Sequence, residues 1–228
     1  MAKLERDVEN RFFDIISNQK ENPSSNAFGI YQKLVFYRYE EIINNTFPLF
    51  LEYISPKELE ETLYLFIKNP PSTPFVWQIA NDYRKMVKKN KLFHDRKYLY
   101  ELLYFDWIEL ELLMKEYKVK KPKEFSWDSS HSLSKSSRIK RFKYDIINAN
   151  YEEKRENFTV IYYDFSSDEV LFREVNEFLY ALLKNLNKKE SIKKTLKKLC
   201  KQNDIDLNEA IEVLQEPLKE LLYNKVIL

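Results

Sequence analysis

The spacing of the apolar residues changes near residue 118, and this change limits the possible folds more than any other feature of the sequence. Before it, apolar residues recur every three or four positions, which is the period of an amphipathic helix. The first such run contains Leu4, Val8, Phe12, Ile15 and Ile16. After residue 118 the period falls towards two, which is typical of strands. The sequence therefore predicts a predominantly helical α+β fold.

Turn and capping residues divide the first half of the chain into about five helices. Their predicted starts lie near residues 4, 27, 55, 75 and 97. The third start is the clearest, because Ser55 can cap the helix, Pro56 fits its first position and Glu58 completes a capping box. We therefore expect residues 1–117 to form a helical bundle domain.

The segment that follows is basic and polar, and we interpret residues 118–137 as an interdomain linker. Residues 118–143 carry nine lysines and arginines against Glu124 and Asp128, a net charge of +7, whereas the whole chain has a net charge of +2. We expect residues 138–228 to form a small, winged-helix-like α/β domain with a short antiparallel sheet. Its strands are predicted at 139–146, 158–163 and 169–172, a last strand at 226–228, and its helices at about 174–186, 191–202 and 206–222.

Composition excludes several classes of protein. The sequence has no run of about 18 apolar residues, and its first residues mix both signs of charge, so we expect a cytoplasmic protein without a membrane span. It has one cysteine, Cys200, and two histidines, His94 and His131. These numbers exclude an internal disulfide and a Cys/His zinc cluster. We expect neither a metal site nor a cofactor.

Catalytic motifs are also missing from the sequence. Gly29 is the only glycine, which excludes a glycine-rich phosphate loop and a nucleophile elbow, because both need several unrestricted backbone positions. Cys200 shares a predicted helix face with Leu196 and Leu199, so we interpret it as a buried apolar side chain. We therefore expect no catalytic residue and no enzymatic activity of the chain itself.

Two charged residues lie on predicted apolar stripes. Arg38 is four residues from both Leu34 and Ile42, and Asp106 lies between Leu103 and Leu110. A buried charge without a partner costs several kcal/mol. We therefore predict that Arg38 and Asp106 form a buried ion pair that fixes the docking of their two helices.

The helix predicted for residues 191–202 has a basic face. That face carries Lys193, Lys194, Lys197, Lys198 and Lys201. Five ammonium groups on one helix could neutralise the phosphates of a nucleic acid. A solvent-exposed face in a lysine-rich chain explains the same pattern, and both interpretations stay open at this point.

Several short motifs occur in a defined order along the chain. They are Phe36-Tyr37-Arg38, Phe47-Pro48, Pro70-Pro71-Ser72-Thr73-Pro74 and Leu103-Tyr104-Phe105-Asp106-Trp107. Together they resemble the HvfC/MbnC family, long labelled a DNA-binding domain family. The stretch from His131 through Arg141-Phe142-Lys143 to Ile147, and Ile161-Tyr162-Tyr163, is similar to the second domain of that family.

The resemblance spans most of the chain and assigns it a set of structural motif residues. These are Tyr37, Arg38, Phe47, Pro48, Asp106 and Trp107. Asp106 stands where the family more often has glutamate. Tyr163 stands where an arginine often follows the tyrosine.

The resemblance implies a non-catalytic accessory subunit. Members of the family are partners of a TIM-barrel iron-dependent oxidase, and the pair modifies cysteines in a ribosomally made peptide whose leader the second domain helps to hold. An open sheet edge can accept an extended peptide by strand addition. We expect such a precursor peptide beside Phe158, Val160, Ile161, Tyr162 and Tyr163. A DNA-binding transcriptional regulator is the alternative.

Overall fold

The computed structural model describes residues 26–69, 71, 73–118 and 124–228. The helix predicted near residues 4–16 lies outside the described residues. Within the described ranges the chain forms eight helices and one three-stranded antiparallel sheet, which confirms the predicted α+β class. The chain divides into two compact units between Leu110 and Glu111.

The first unit consists of helices. They are α1 (Asn26–Thr46), α2 (Pro48–Leu51), α3 (Pro56–Ile67), α4 (Val76–Lys89) and α5 (Leu99–Leu113), and the division between the units falls within α5. Helix α1 packs against α3 and α4, around the fully buried side chains of Phe47, Phe50, Leu63 and Tyr83. The hydroxyls of Tyr83 and Thr62 lie 2.7 Å apart, so the polar atom of this tyrosine is satisfied inside the core.

The start of α3 follows the sequence prediction in detail. The Ser55 hydroxyl accepts a hydrogen bond from the Glu58 N–H, and the Glu58 carboxylate accepts one from the Ser55 N–H at 2.8 Å. Pro56 occupies the first helical position, where its missing N–H has no cost. The predicted capping box is therefore confirmed.

The second unit places a sheet before three helices. The strands are β1 (Ser137–Phe142), β2 (Asn157–Asp164) and β3 (Glu169–Val175), and the helices are α6 (Glu177–Asn185), α7 (Ile192–Asn203) and α8 (Leu207–Tyr223). The strand order is β1-β2-β3, with Ile139 opposite Val160 and Val160 opposite Arg173. Strand β2 is therefore the central strand.

The first strand ends earlier than predicted, because the residues after Phe142 turn away from the sheet. The Asp145 N–H donates to the Glu153 carbonyl and the Asn150 N–H donates to the Asp145 carbonyl. These bonds close a loop on itself, so Ile146 does not continue β1. The prediction of a strand to residue 146 was wrong for this reason.

One side of the sheet packs on the three helices. Ile139, Val160, Tyr162 and Val175 contact an apolar cluster that includes Leu182, Leu196, Leu218 and the single cysteine, Cys200. Cys200 is buried, as its helix face indicates, and burial raises the pKa of its thiol. In the part of the chain that the structure describes, no helix is long and apolar enough to cross a membrane.

Part of the predicted linker takes part in the second unit. Ser132 and Leu228 exchange two main-chain hydrogen bonds, of 3.0 and 2.9 Å, and the Ser134 N–H donates to the Val226 carbonyl. An isolated bridge joins Leu133 to Ile227, so residues 226–228 pair with residues 132–134 and do not form a fourth strand of the described sheet. The domain boundaries drawn from the sequence, at 117 and 137, stay a prediction.

Candidate peptide-binding surface

The five residues expected to lie beside a bound peptide belong to the central strand β2. Val160, Ile161 and Tyr162 are buried and contribute to the core. The Phe158 ring lies 5.0 Å from the Tyr180 ring, and the Tyr163 hydroxyl donates to Asp168 at 2.7 Å. Because β1 and β3 occupy both sides of β2, a peptide cannot add directly next to these residues. The peptide-binding role of these five residues stays a prediction, and the open edges of the sheet belong to β1 and β3.

The hydrogen-bonding direction of β1 follows from one bond at its start. The Tyr163 N–H donates to the Ser136 carbonyl at 2.9 Å, and main-chain groups alternate in direction along a strand. The N–H groups of Ile139 and Arg141 therefore point away from β2. No acceptor for either N–H lies among the residues that the structure describes. Strand β1 thus presents an open edge.

The side chains that flank this edge are basic. Arg138, Lys140, Arg141 and Lys143 belong to β1 or directly follow it, whereas β3 carries Glu169, Arg173 and Glu174. The Arg138 guanidinium lies 3.2 Å from the Glu111 carboxylate, and Arg141 forms two hydrogen bonds to Glu156. The two outer edges of the sheet therefore differ in charge.

A cleft of about 740 Å³ lies in the second unit, next to the start of β1. It is lined by four lysines, Lys118, Lys135, Lys188 and Lys225, and by serines of residues 130–136. Its aromatic wall is formed by Tyr117 and Phe165. Burial raises the pKa of Tyr117 to about 12, so its hydroxyl stays neutral and donates to the Leu112 carbonyl at 3.0 Å.

Sequence reasoning did not identify this cleft. Its four lysines come from four separate segments of the chain, and only Lys118 and Lys135 belong to the basic region noted in the sequence. No periodicity relates them, because only the fold brings them together. The local net charge of +7 was the one signal that pointed to part of this surface.

The structural motif residues of the first unit separate into buried and exposed sets. Phe47, Asp106 and Trp107 are buried, Pro48 begins α2, and Tyr37 is 59% exposed. The Trp107 Nε1–H donates to the Trp77 carbonyl at 2.9 Å. The guanidinium of Arg84, which the sequence did not single out, lies 4.4 Å from the centre of the Trp107 ring.

The predicted pair of Arg38 and Asp106 is wrong. Arg38 is exposed and lies 3.0 Å from Glu41 on its own helix. Asp106 is buried, and one of its oxygens accepts a hydrogen bond from the Phe50 N–H at 3.1 Å. The stripe that carries Arg38 also leaves Leu34 57% exposed. The helical period located the apolar stripe correctly but could not show which of its residues are buried by other helices.

The electrostatic setting of Asp106 is unusual for a carboxyl group. Burial raises its pKa to about 7, although the N–H groups of Phe50 and Leu49 act in the opposite direction, and the nearby carboxylates of Glu109 and Glu52 raise it further. The short helix α2 thus supplies donors in place of the expected guanidinium. This arrangement is a structural contact between α2 and α5.

The lysines of α7 are exposed, as expected. Lys194 and Lys198 lie 3.2 and 2.7 Å from the Glu190 carboxylate, and both lower the pKa of Glu190. At the start of α7, the Ile192 N–H donates to the Ser129 carbonyl and the Lys193 N–H to the Trp127 carbonyl. These two amides are therefore not available to a phosphate group.

The second unit is thus a small sheet-and-helix domain with one open basic edge. Residues 134–222 match the family model described as HvfC C-terminal domain. Over these residues, the second unit is similar to the HvfC C-terminal domain. No curated protein matches the chain. Among the described residues, no group of three or more histidines, cysteines, aspartates or glutamates is arranged to hold a metal ion.

Proposed function

We propose that this chain is a non-catalytic, cytoplasmic partner subunit that holds a peptide for modification by another protein. The partner is a TIM-barrel iron-dependent oxidase, bound as a heterodimer. The substrate is the leader-bearing precursor of a ribosomally made peptide whose cysteines are modified. The observation that carries the proposal is the match of residues 134–222 to the HvfC C-terminal domain.

The open edge of β1 is the place where we expect the peptide to bind. An added strand would accept hydrogen bonds from the N–H groups of Ile139 and Arg141, which point away from β2. Main-chain hydrogen bonds supply affinity in this mode of recognition, and flanking side chains supply selectivity. The basic side chains beside β1 favour a peptide with acidic residues.

The test uses a proline that removes one outward N–H. We compare Arg141→Pro with Arg141→Ala, because both lose the guanidinium and only the proline loses the N–H. The tagged chain is used to capture a TIM-barrel iron-dependent oxidase together with its cysteine-containing peptide. We expect the proline variant to hold the peptide roughly tenfold more weakly than the alanine variant.

The outcome that contradicts this proposal is equally specific. Equal peptide affinity of the proline and alanine variants, with the circular dichroism of both unchanged, would exclude strand addition at β1. Failure to capture the metalloprotein would exclude the partner.

The DNA-binding alternative rests on the exposed lysines of α7, of which Lys193, Lys197 and Lys201 form no ion pair with a described residue. Reversing these three charges should leave peptide capture unchanged. A DNA complex that weakens steeply with salt and disappears in the charge-reversed chain would support a regulator instead.

A further inference from the structure

We propose that the lysine-lined cleft of the second unit binds an acidic segment of a peptide. The inference rests on the proposed function for the identity of that peptide, which would continue from the strand added at β1. The cleft reaches Lys135 and Ser136, the two residues directly before β1. A peptide that continues past this end of the β1 edge would therefore come next to residues that line the cleft.

The charges of the cleft are unbalanced. Lys118, Lys135, Lys188 and Lys225 line it, and among the described residues of the lining Glu116 is the only acidic side chain. None of the four lysines forms an ion pair with a residue that the structure describes. Elsewhere in the same unit, Lys194 and Lys198 share the Glu190 carboxylate. Four cations around one concave surface, without ion pairs among the described residues, attract an anionic ligand.

The aromatic wall favours a peptide over a simple anion. The Tyr117 ring lies 5.7 Å from that of Tyr163 and 6.2 Å from that of Phe165, and the last two rings are 5.1 Å apart. The Lys225 ammonium lies 4.6 Å from the centre of the Phe165 ring. A ligand that fills this cleft needs apolar groups next to its charges. The lining contains no arginine, the residue best suited to bidentate phosphate binding.

The backbone at Lys225 makes this residue a useful test position. Its φ is 58°, its N–H donates to the Leu222 carbonyl, and the Val226 N–H donates to the Leu221 carbonyl at 2.8 Å. This is the left-handed position that ends a helix, where glycine is favoured because it has no Cβ. Lys225→Gly therefore removes the ammonium group while keeping the end of α8 intact.

The experiment measures binding of a short fluorescein-labelled peptide of alternating glutamate and leucine by fluorescence anisotropy. A peptide of alternating glutamine and leucine is the matched probe. We expect Lys135→Glu with Lys188→Glu to weaken binding of the acidic probe by about tenfold or more. The matched control, Lys193→Glu with Lys197→Glu, makes the same charge change on α7 and should change the affinity less than about twofold.

Three results would overturn the inference. The first is equal weakening by both double variants, because the effect would then be one of net charge. The second is equal affinity for the glutamine and glutamate probes. The third is displacement of the acidic probe by inorganic phosphate at equal concentration, which would assign the cleft to a small anion.

A further pair of variants separates this inference from the proposed function. Lys225→Gly should lower the affinity for the acidic probe several-fold without lowering the thermal stability of the chain. Suppose that probe binding is unchanged in this variant and that Arg141→Pro loses peptide capture. This result would contradict peptide binding in the cleft and support strand addition at β1. Weaker probe binding in Lys225→Gly with unchanged peptide capture in Arg141→Pro would contradict strand addition at β1 and support peptide binding in the cleft.

Discussion

The two units each bury an aspartate, and they treat its charge in opposite ways. In the first unit Asp106 accepts a hydrogen bond from the Phe50 N–H and has no cation within ion-pair distance among the described residues. In the second unit Asp145 lies 2.8 Å from the Arg155 guanidinium and accepts hydrogen bonds from Asn148 and Asn150.

The pKa values of the two carboxyls diverge accordingly. Burial raises the pKa of Asp106 to about 7. Burial acts in the same direction on Asp145, but the hydrogen bonds from Arg155, Asn148 and Asn150 outweigh it and lower the pKa below its ordinary value. The hydrogen-bond donors around a buried carboxyl, and not its burial alone, therefore decide whether it is charged.

The largest effect is expected from Phe50→Ala. Phe50 is fully buried, and its N–H is the donor that holds Asp106. The truncation leaves a cavity and should lower the free energy of unfolding by about 3–5 kcal/mol. Urea unfolding followed by tryptophan fluorescence measures it, with Phe50→Leu as the milder control. A loss below about 1 kcal/mol would show that the α2 contact is not part of the core.

The next effect concerns pH. A carboxyl whose pKa is raised on folding takes up a proton in the folded state, so stability falls as pH rises from its unfolded pKa, near 4, to its folded pKa, near 7. Across this pH range, the free energy of unfolding of the unmodified chain should fall by up to about 4 kcal/mol relative to that of Asp106→Asn. Parallel stability curves for the two proteins would refute the raised pKa.

Asp145→Asn should give a smaller loss at neutral pH, with the opposite pH dependence. Arg155 keeps two hydrogen bonds to Glu174, of 2.8 and 3.0 Å, after the substitution. Because the folded pKa of Asp145 is lowered, its stabilisation is complete above the unfolded pKa and is lost as pH falls through the folded value. The difference in urea midpoint between variant and unmodified chain should therefore shrink in acid. A difference that grows in acid would contradict the pairing.

The smallest effects are expected from removing one helix-capping serine in each unit. Ser55 caps α3 in the first unit and Ser191 caps α7 in the second, each accepting a hydrogen bond from an N–H three residues later. Ser55→Ala and Ser191→Ala should each cost about 1 kcal/mol. Chemical denaturation of both variants at one pH provides the measurement. No measurable loss in either variant would mean that its serine does not stabilise the start of that helix.

The sequence predicted those parts of the fold that depend on neighbours along the chain. The capping box at Ser55 and the hairpin around residues 164–169 are local, and both were located within a residue or two. The end of β1 was misplaced because Asp145 bonds to groups further along its own loop. Alternation of apolar residues does not reveal such a bond.

The candidate site was less predictable, because it is built from distant segments. The sequence suggested strand addition but placed the peptide beside β2, since strand order is set by pairing partners that periodicity does not specify. The partner of Asp106 was missed for a related reason. A main-chain N–H at Phe50 replaced the expected side chain of Arg38, and main-chain donors have no signature in the sequence.

The single cysteine offers a way to follow local opening of the second unit. Cys200 is 3% exposed within the apolar cluster beneath the sheet, and burial raises the pKa of its thiol. A thiol-specific reagent should modify it mainly in molecules where the packing around α7 has opened locally. The rate of alkylation in native buffer therefore reports how often this unit opens locally, without an introduced label.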